Sequence, residues 1–308
     1  MGIPWQGLDK CGISFMYLTM KWLGGSVLIA GITFLQAQAQ EATPPIRIEQ
    51  IQEFLRKSDV NLDGLAEKLL GDTDTNRLFY FPTRDEPATP AEWGFKYDDI
   101  DFESTDGTKL HGWFMPARGE HAKGTVVFSH GNAGSIGHHL GFVMWLVEAG
   151  YQVFMYDYRG FGKSAGELDR HGMVEDVKGA FAYVSGRKDV DAGKLISYGH
   201  SLGGAKSVAA FSEKQINGLK AIVIDGTFAS YQAMAGLIGG ELGAKLISDD
   251  FSPNACIGKI TDTPLLVVHG DRDQVVPIAQ GKELFELANK PKTLFEVKGG
   301  SHGDSLAR

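Results

Sequence analysis

Cysteine is nearly absent from this sequence of 308 residues, which contains two. Cys11 falls in an N-terminal segment that we expect to be removed, so Cys256 has no partner for an internal disulfide in the mature chain. Positive charge is also scarce, because 30 Lys and Arg face 38 Asp and Glu, for a formal net charge of −8. A partner with a phosphate backbone, such as a nucleic acid, is therefore not expected.

Other absences exclude further classes of protein. No internal repeat or low-complexity tract is visible, and the glycine-containing stretch 124–134 lacks the Gly-Lys-Ser/Thr of a phosphate loop. His138 and His139 are adjacent in a predicted helix and would point apart, and no acidic residue lies at a ligand spacing from them. We therefore predict no metal site and no cofactor.

The N-terminal segment has the layout of a secretory signal. Met20 and Lys21 precede a mostly apolar run, 22–35, which is short for a membrane span and is followed by the small-residue pattern Ala37-Gln38-Ala39. We predict a leader over 1–39, with Met20 as an alternative start, and a secreted or periplasmic protein. The alternative is an uncleaved segment that holds the protein near a membrane.

After an N-terminal extension over 40–96, residues 97–308 alternate between short apolar runs and longer helical patterns. An Asp-Gly turn at 106–107 joins the first two predicted strands as a hairpin. The six later runs are "GTVVFSH", "YQVFMYD", "KLISYG", "KAIVID", "PLLVVHG" and "KTLFEVKG". Helices are predicted over 138–149, 171–186, 202–213 and 278–289. This alternation indicates an α/β protein with a mostly parallel eight-stranded sheet, helices on both faces, and functional residues at the carboxyl ends of the strands.

The stretch "LISYGHSLGG" contains a Gly-x-Ser-x-Gly motif between a predicted strand and a predicted helix. A turn this tight forces the serine into a strained conformation and requires neighbours without a Cβ, so that the hydroxyl projects above the sheet. Ser201 is the predicted nucleophile; the alternative is a serine that caps the helix. A nucleophilic serine needs a base and an orienting acid, in the chain order Ser, acid, His. The segment "HGDRDQVVP" supplies the acid, and His302 follows the next strand.

Five segments together resemble the α/β-hydrolase superfamily, in particular the α/β-hydrolase-domain-containing serine hydrolases that include protein depalmitoylases. They are "FSHGNAGS" (128–135), "YDYRGFGKSAGE" (156–167), "GHSLGG", "HGDRDQVVP" and "GGSHGD". The resemblance implies the α/β-hydrolase fold over roughly residues 78–303.

The resemblance also implies a role for each matching residue. Ser201 would attack a carbonyl, His302 would carry the proton, and Asp273, the spaced acid of the motif, would orient His302. Asp225, at another strand end, and Asp271 remain alternatives for the acid. Backbone N–H groups of Asn132 and Leu202 would form the oxyanion hole.

The segment 226–262 is too short for a large cap domain, but it contains an apolar helical stripe interrupted by glycines. We predict a short lid over an apolar acyl group; a helix whose glycines permit close packing is the alternative. The predicted function is cofactor-free hydrolysis of a small carboxylic ester or thioester through an acyl-enzyme. Amide or aminoacyl hydrolysis by the same triad is an alternative, and a non-catalytic binding protein on this fold is another.

Overall fold

The computed structural model describes residues 80–303. The leader over 1–39 and most of the N-terminal extension lie outside the described residues, so both stay predictions. No helix within residues 80–303 has both the length and the apolar character needed to cross a membrane.

A single large sheet of eight strands forms the centre of the fold. The strands are β1 (Asp98–Glu103), β2 (Lys109–Met115), β3 (Thr125–Ser129), β4 (Gln152–Asp157), β5 (Leu195–His200), β6 (Leu219–Asp225), β7 (Leu265–Gly270) and β8 (Lys292–Val297). Their order across the sheet is β8-β7-β6-β5-β3-β4-β2-β1. All neighbours are parallel except β2, which runs antiparallel to both β1 and β4. The predicted mostly parallel eight-stranded sheet is thus confirmed.

The central strands are buried on both faces, which explains why their sequences are almost continuously apolar. In β3 every residue is buried, and successive side chains enter different cores. Val127 packs into one hydrophobic cluster, whereas Val126 and Phe128 pack into the other. The sheet therefore separates two cores, each closed by helices.

Six α-helices follow the strands in the described part of the chain. They are α1 (Met144–Glu148), α2 (Arg170–Gly186), α3 (Leu202–Glu213), α4 (Tyr231–Leu246), α5 (Pro253–Cys256) and α6 (Ile278–Leu287). Short 3-10 segments lie at Pro90–Trp93, Ile136–Phe142 and Ile257–Lys259. Residues of α2, α3 and α6 contribute to one core and those of α1 to the other, so helices cover both faces of the sheet.

The helix predicted over 138–149 differs from the observed structure, since the α-helical part is only α1. The preceding 3-10 segment begins at Ile136, whose N–H donates to Asp157 Oδ1 at 2.8 Å. Gly137 packs so closely on the chain before it that a Cβ would lie 2.8 Å from Ala88 O. Contacts with the sheet and with residues 86–88, which are remote in sequence, thus shape this segment.

Residues 80–96 run alongside the loops that follow β3 and β4. The two-residue strand Phe81–Pro82 pairs in parallel with Ala133–Gly134, and the Arg84 guanidinium donates to the carbonyls of Gly162 and Ser164. This part of the predicted extension therefore packs against the loops after β3 and β4.

The loop after β4 is held by a buried ion pair. Arg159 donates from its backbone N–H and its guanidinium to Asp176 on α2, with the shortest distance 2.7 Å, and also reaches Asp106 at 2.8 Å. The Asp176 side chain is fully buried and that of Arg159 is 9% exposed. Each of the two charges is therefore stabilised mainly by the other, because water has little access to this ion pair.

We expect Asp176→Asn to lower the free energy of unfolding by about 3 kcal/mol, because a mostly buried guanidinium loses its main anionic partner. Urea denaturation followed by circular dichroism measures this difference. The matched control is Asp191→Asn, which removes one partner of an exposed ion pair with Lys194 and should change stability little. Equal stability of Asp176→Asn and the wild type would mean that Asp106 alone suffices for Arg159.

Candidate active site

Ser201 occupies the turn between β5 and α3 in a strained backbone conformation, with φ 54° and ψ −114°. A Cβ at Gly199 would lie 2.5 Å from the carbonyl carbon of Gly203, and one at Gly203 would lie 1.8 Å from Ser129 O. The motif glycines are therefore required by close backbone approach. The Ser201 side chain makes no capping hydrogen bond to α3, so the geometry does not favour the capping alternative.

Asp273 and His302 meet at the same edge of the sheet. Asp273 lies in the loop after β7 and His302 in the loop after β8, and His302 Nδ1 is 2.7 Å from Asp273 Oδ2. The other carboxylate oxygen, Oδ1, accepts the backbone N–H groups of Val275 and Val276 at 2.9 and 2.8 Å. The carboxylate is thus fixed by its own loop while one oxygen remains directed at the imidazole.

Hydrogen bonding keeps the Asp273 carboxylate ionised. Burial by itself would raise its pKa, but hydrogen bonding with His269 and His302 holds the pKa of Asp273 well below its usual range. His269 Nε2 lies 3.4 Å from Oδ2 and also donates to Val276 O at 2.8 Å. A permanently charged acid beside His302 favours the tautomer that carries its proton on Nδ1.

The two alternative acids lie in other surroundings. Asp225 Oδ2 accepts from the Tyr198 hydroxyl at 3.1 Å and is 3.6 Å from His200 Nδ1, while the Asp225 carbonyl accepts the Ser201 N–H at 2.7 Å. Asp271 Oδ1 accepts the Gly299 N–H at 2.7 Å. Asp225 therefore supports the serine turn, and Asp271 joins the loops after β7 and β8.

Three further histidines are buried close to the site. The His200 ring lies 4.9 Å from that of His302, and the rings of His130 and His139 are 5.0 Å apart. Burial lowers the pKa of all three, that of His139 to about 4. These imidazoles are neutral at physiological pH and do not repel a positive charge on His302, whose side chain is 19% exposed.

Asn132 and Leu202, the predicted oxyanion-hole residues, border the same cavity as Ser201. Leu202 begins α3, where the first N–H groups of a helix have no intrahelical acceptor. Asn132 follows β3, and its carbonyl accepts the Phe81 N–H at 2.8 Å, which fixes the loop. The structure thus brings the five predicted site residues to one edge of the sheet.

The cavity at Ser201 has a volume of about 50 Å³. Its walls are aromatic or apolar apart from the site residues themselves. The lining residues are Tyr80, Asn132, Ser201, Leu202, Phe228, Tyr231, Met234 and Val275. Among the residues that the structure describes, this lining contains no carboxylate and no cationic side chain, so the cavity is suited to an uncharged, apolar group.

Sequence reasoning missed Tyr80 and Phe228 in the cavity wall and Lys206 behind it. Lys206 is 1% exposed; its ammonium donates to the Tyr80 hydroxyl at 3.2 Å and to Arg170 O at 3.0 Å. Burial holds the pKa of Lys206 well below its usual range. Lys206 is the single charged residue in the otherwise uncharged helix segment "LGGAKSVAAF", and this was the signal in the sequence for its position.

The lid segment contains α4, which is broken at Gly240 with φ 62° and ψ −153°. A Cβ at Gly243 would lie 2.6 Å from Ala235 O, so a glycine of the second half packs against the first half. The N-terminal half carries Tyr231 and Met234 in the cavity wall. The segment thus lines the cavity and packs closely at a glycine, and its role as a lid stays a prediction.

Known proteins with this architecture include an esterase from Pyrococcus furiosus, Pf2001. Its structure matches with a TM-score of 0.62 at 21% sequence identity and covers 73% of this chain and 90% of that one. This likeness concerns the fold alone. A family model described as serine aminopeptidase, S33, matches residues 120–249.

Closer sequence similarity is found with two other proteins. The uncharacterised protein YfhR of Escherichia coli K12 is 36% identical over 234 residues, which cover 75% of this chain and 81% of YfhR. The α/β-hydrolase domain-containing protein WAV2 of Arabidopsis thaliana is 33% identical over 251 residues, with 74% and 81% covered. The expected relationship is confirmed, and the chain belongs to the α/β-hydrolase family.

Proposed function

We propose that this protein is a serine hydrolase that cleaves carboxylic esters or thioesters with short, apolar acyl groups. The observation that carries the proposal is the pairing of His302 Nδ1 with Asp273 Oδ2 at 2.7 Å, at the same edge of the sheet as a serine that sits on a strained turn and lines an apolar cavity. Family membership supports the hydrolase class; the ester specificity is our inference from the cavity.

In the first half of the cycle, Ser201 Oγ attacks the acyl carbonyl carbon as His302 Nε2 removes the hydroxyl proton. The negative charge that develops on the carbonyl oxygen is stabilised by the backbone N–H groups of Leu202 and Asn132. His302 then gives the proton to the leaving alkoxide or thiolate as the carbonyl re-forms, which leaves the acyl group on Ser201.

In the second half, His302 removes a proton from water, whose oxygen attacks the acyl-enzyme. Collapse of this intermediate returns the proton to Ser201 Oγ and releases the carboxylic acid. Asp273 stabilises the imidazolium in both halves without itself taking the proton.

Aminoacyl hydrolysis is the second candidate, because the matching family model is described as a serine aminopeptidase. A free α-amino group is cationic near neutral pH, and removing it from water without an anionic partner is costly. Within residues 80–303 the cavity lining contains no carboxylate, which favours an acyl group without an amine. Rates on aminoacyl and alkanoyl chromogenic substrates distinguish the two candidates.

The cavity volume sets the expected acyl length. One water needs about 10–15 Å³ of such space, so the cavity has room for roughly four heavy atoms. In a series of p-nitrophenyl esters from acetate to decanoate, we therefore expect kcat/KM to peak at about two to four carbons. It should fall at least tenfold by the longest chain, since even one methylene that does not fit a pocket is worth about 10-fold.

Met234→Ala should shift this optimum toward longer chains, because Met234 lines the cavity. The matched control is Leu237→Ala on the same helix, since the Leu237 side chain is 55% exposed and is not part of the lining. The ratio of kcat/KM for hexanoate to that for acetate should rise about tenfold in Met234→Ala and stay unchanged in the control. Identical chain-length profiles in all three proteins, or faster hydrolysis of aminoacyl substrates, would contradict the proposal.

A further inference from the structure

Three side chains that are far apart in sequence converge at the C-terminal end of the loop that follows β3. Glu86 comes from the segment before the sheet, His111 from β2, and Asp157 from the carboxyl end of β4. Asp157 is fully buried, and the side chains of His111 and Glu86 are 5% and 13% exposed. None of the three belongs to the proposed triad.

One atom from each residue points to a common centre. His111 Nδ1 lies 3.7 Å from Glu86 Oε1 and 3.6 Å from Asp157 Oδ2, and all three atoms lie within 4.8 Å of one another. Ligand atoms that bind zinc tetrahedrally at about 2.1 Å are about 3.4 Å apart. The observed spacing is close to that of a tetrahedral cation site.

These three inward atoms are buried and have no hydrogen-bond partner in the part of the chain that the structure describes. Buried polar atoms in proteins are normally paired. Here the carboxylates and the imidazole approach each other at distances too long for a hydrogen bond but suited to ligation of a shared ion. These three unpaired atoms point to a bound ion independently of the fact that the cluster consists of residue types that bind metals.

The second polar atom of each side chain, in contrast, is occupied. His111 Nε2 lies 2.6 Å from Asp99 Oδ1, Asp157 Oδ1 accepts the Ile136 N–H at 2.8 Å, and Glu86 Oε2 accepts from Lys163 Nζ at 2.6 Å. A carboxylate that receives the distal N–H of a histidine is the usual partner of a metal-binding imidazole. Outer contacts thus orient all three side chains and leave one lone pair of each directed inward.

We propose that Glu86, His111 and Asp157 bind one divalent transition-metal ion, for which Zn²⁺ is the best match. One imidazole nitrogen and two carboxylate oxygens form a mixed ligand set that zinc accepts, with water as a fourth ligand. Ca²⁺ prefers six to eight oxygen ligands, and Mg²⁺ prefers octahedral oxygen sites with several waters. The nitrogen ligand and the small number of protein ligands therefore favour a transition metal.

Such an ion would have a structural role. Through Glu86 it would tie the segment near Tyr80 to the sheet, and through Asp157 it would stabilise the loop that carries Asn132, because Asp157 also holds the Ile136 N–H. The sequence prediction of no metal site considered only neighbouring histidines, whereas these ligands come from three separate elements.

Titration of the tag-free, chelator-treated full chain with Zn²⁺ in a calorimeter tests the proposal. We expect one Zn²⁺ per chain and, at a hundredfold excess over Kd, a rise in Tm of about 5–10 °C. Ca²⁺ at the same concentration should give neither effect. Absence of Zn²⁺ binding to the wild-type chain would overturn the proposal.

Three variants locate the ion. Glu86→Gln should abolish the Zn²⁺-dependent rise in Tm. Asp99→Asn should weaken Zn²⁺ binding about 10–100-fold, because it replaces the carboxylate that faces His111 Nε2 with a neutral amide. The matched control is Glu213→Gln, which alters the exposed group of His171, Glu175 and Glu213 and should leave binding unchanged. Retained ester hydrolysis at 25 °C shows that each variant is folded. Unchanged binding in Glu86→Gln, or its loss in Glu213→Gln, would place the ion elsewhere and refute this site.

Discussion

Ser201→Ala should lower kcat/KM for ester hydrolysis by about 10⁴-fold or more, because the nucleophile and the base act as one unit. The substitution removes only a hydroxyl at a turn whose conformation is imposed by the close approach of Gly199 and Gly203, so the fold should persist. Rates on the preferred short-chain p-nitrophenyl ester measure the effect, and circular dichroism checks the fold.

Labelling by a fluorophosphonate probe identifies the reactive serine directly. It should disappear in Ser201→Ala and remain in the matched control Ser207→Ala, which removes another buried hydroxyl from α3. Ser207 lies about one and a half turns into the helix and is not among the residues that line the cavity. Labelling that persists in Ser201→Ala would assign the nucleophile to another serine, and a wild-type chain that never reacts would support a binding protein.

Asp273→Asn should lower activity near neutral pH by about 10⁴-fold, as expected when the acid of a triad becomes an amide. Asn can keep an oxygen toward the N–H groups of Val275 and Val276, which Asp273 Oδ1 now accepts, so the loop should be preserved. Its NH₂ group then faces His302 Nδ1 in place of Oδ2. His302 Nδ1 would then have to accept a hydrogen bond from this NH₂ group, so the imidazole proton would move to Nε2. Nε2 is the atom that must be unprotonated for His302 to act as a base.

The competing acids serve as controls for this variant. Asp271→Asn lies in the same loop and keeps an oxygen that can accept the Gly299 N–H, so its activity should stay within a few-fold of the wild type. Asp225→Asn should lower the rate of ester hydrolysis far less than Asp273→Asn does. Near-normal activity of Asp273→Asn together with an inactive Asp225→Asn would move the acid one strand earlier along the chain.

Short-range patterns predicted the elements best. The helix predicted over 202–213 matches α3, and the eight predicted strands form the sheet, because apolar continuity and glycine turns are local signals. The segment 136–142 was harder to predict, since its conformation depends on Asp157 and on residues near Ala88 that are remote in sequence. Tyr80 escaped prediction for the same reason: its place in the cavity wall depends on contact with Lys206, which is 126 residues away.

The sequence by itself determined the class of fold, the serine turn and the motifs that supply the candidate acid and base. Each of these depends on patterns formed by residues a few positions apart. It left three aspartates open as the acid. Only the tertiary structure placed Asp273 Oδ2 at 2.7 Å from His302 Nδ1, gave the cavity its small apolar volume and brought Glu86 to His111 and Asp157. Distances between residues on different strands depend on how the whole sheet is ordered and packed, and no local pattern contains that information.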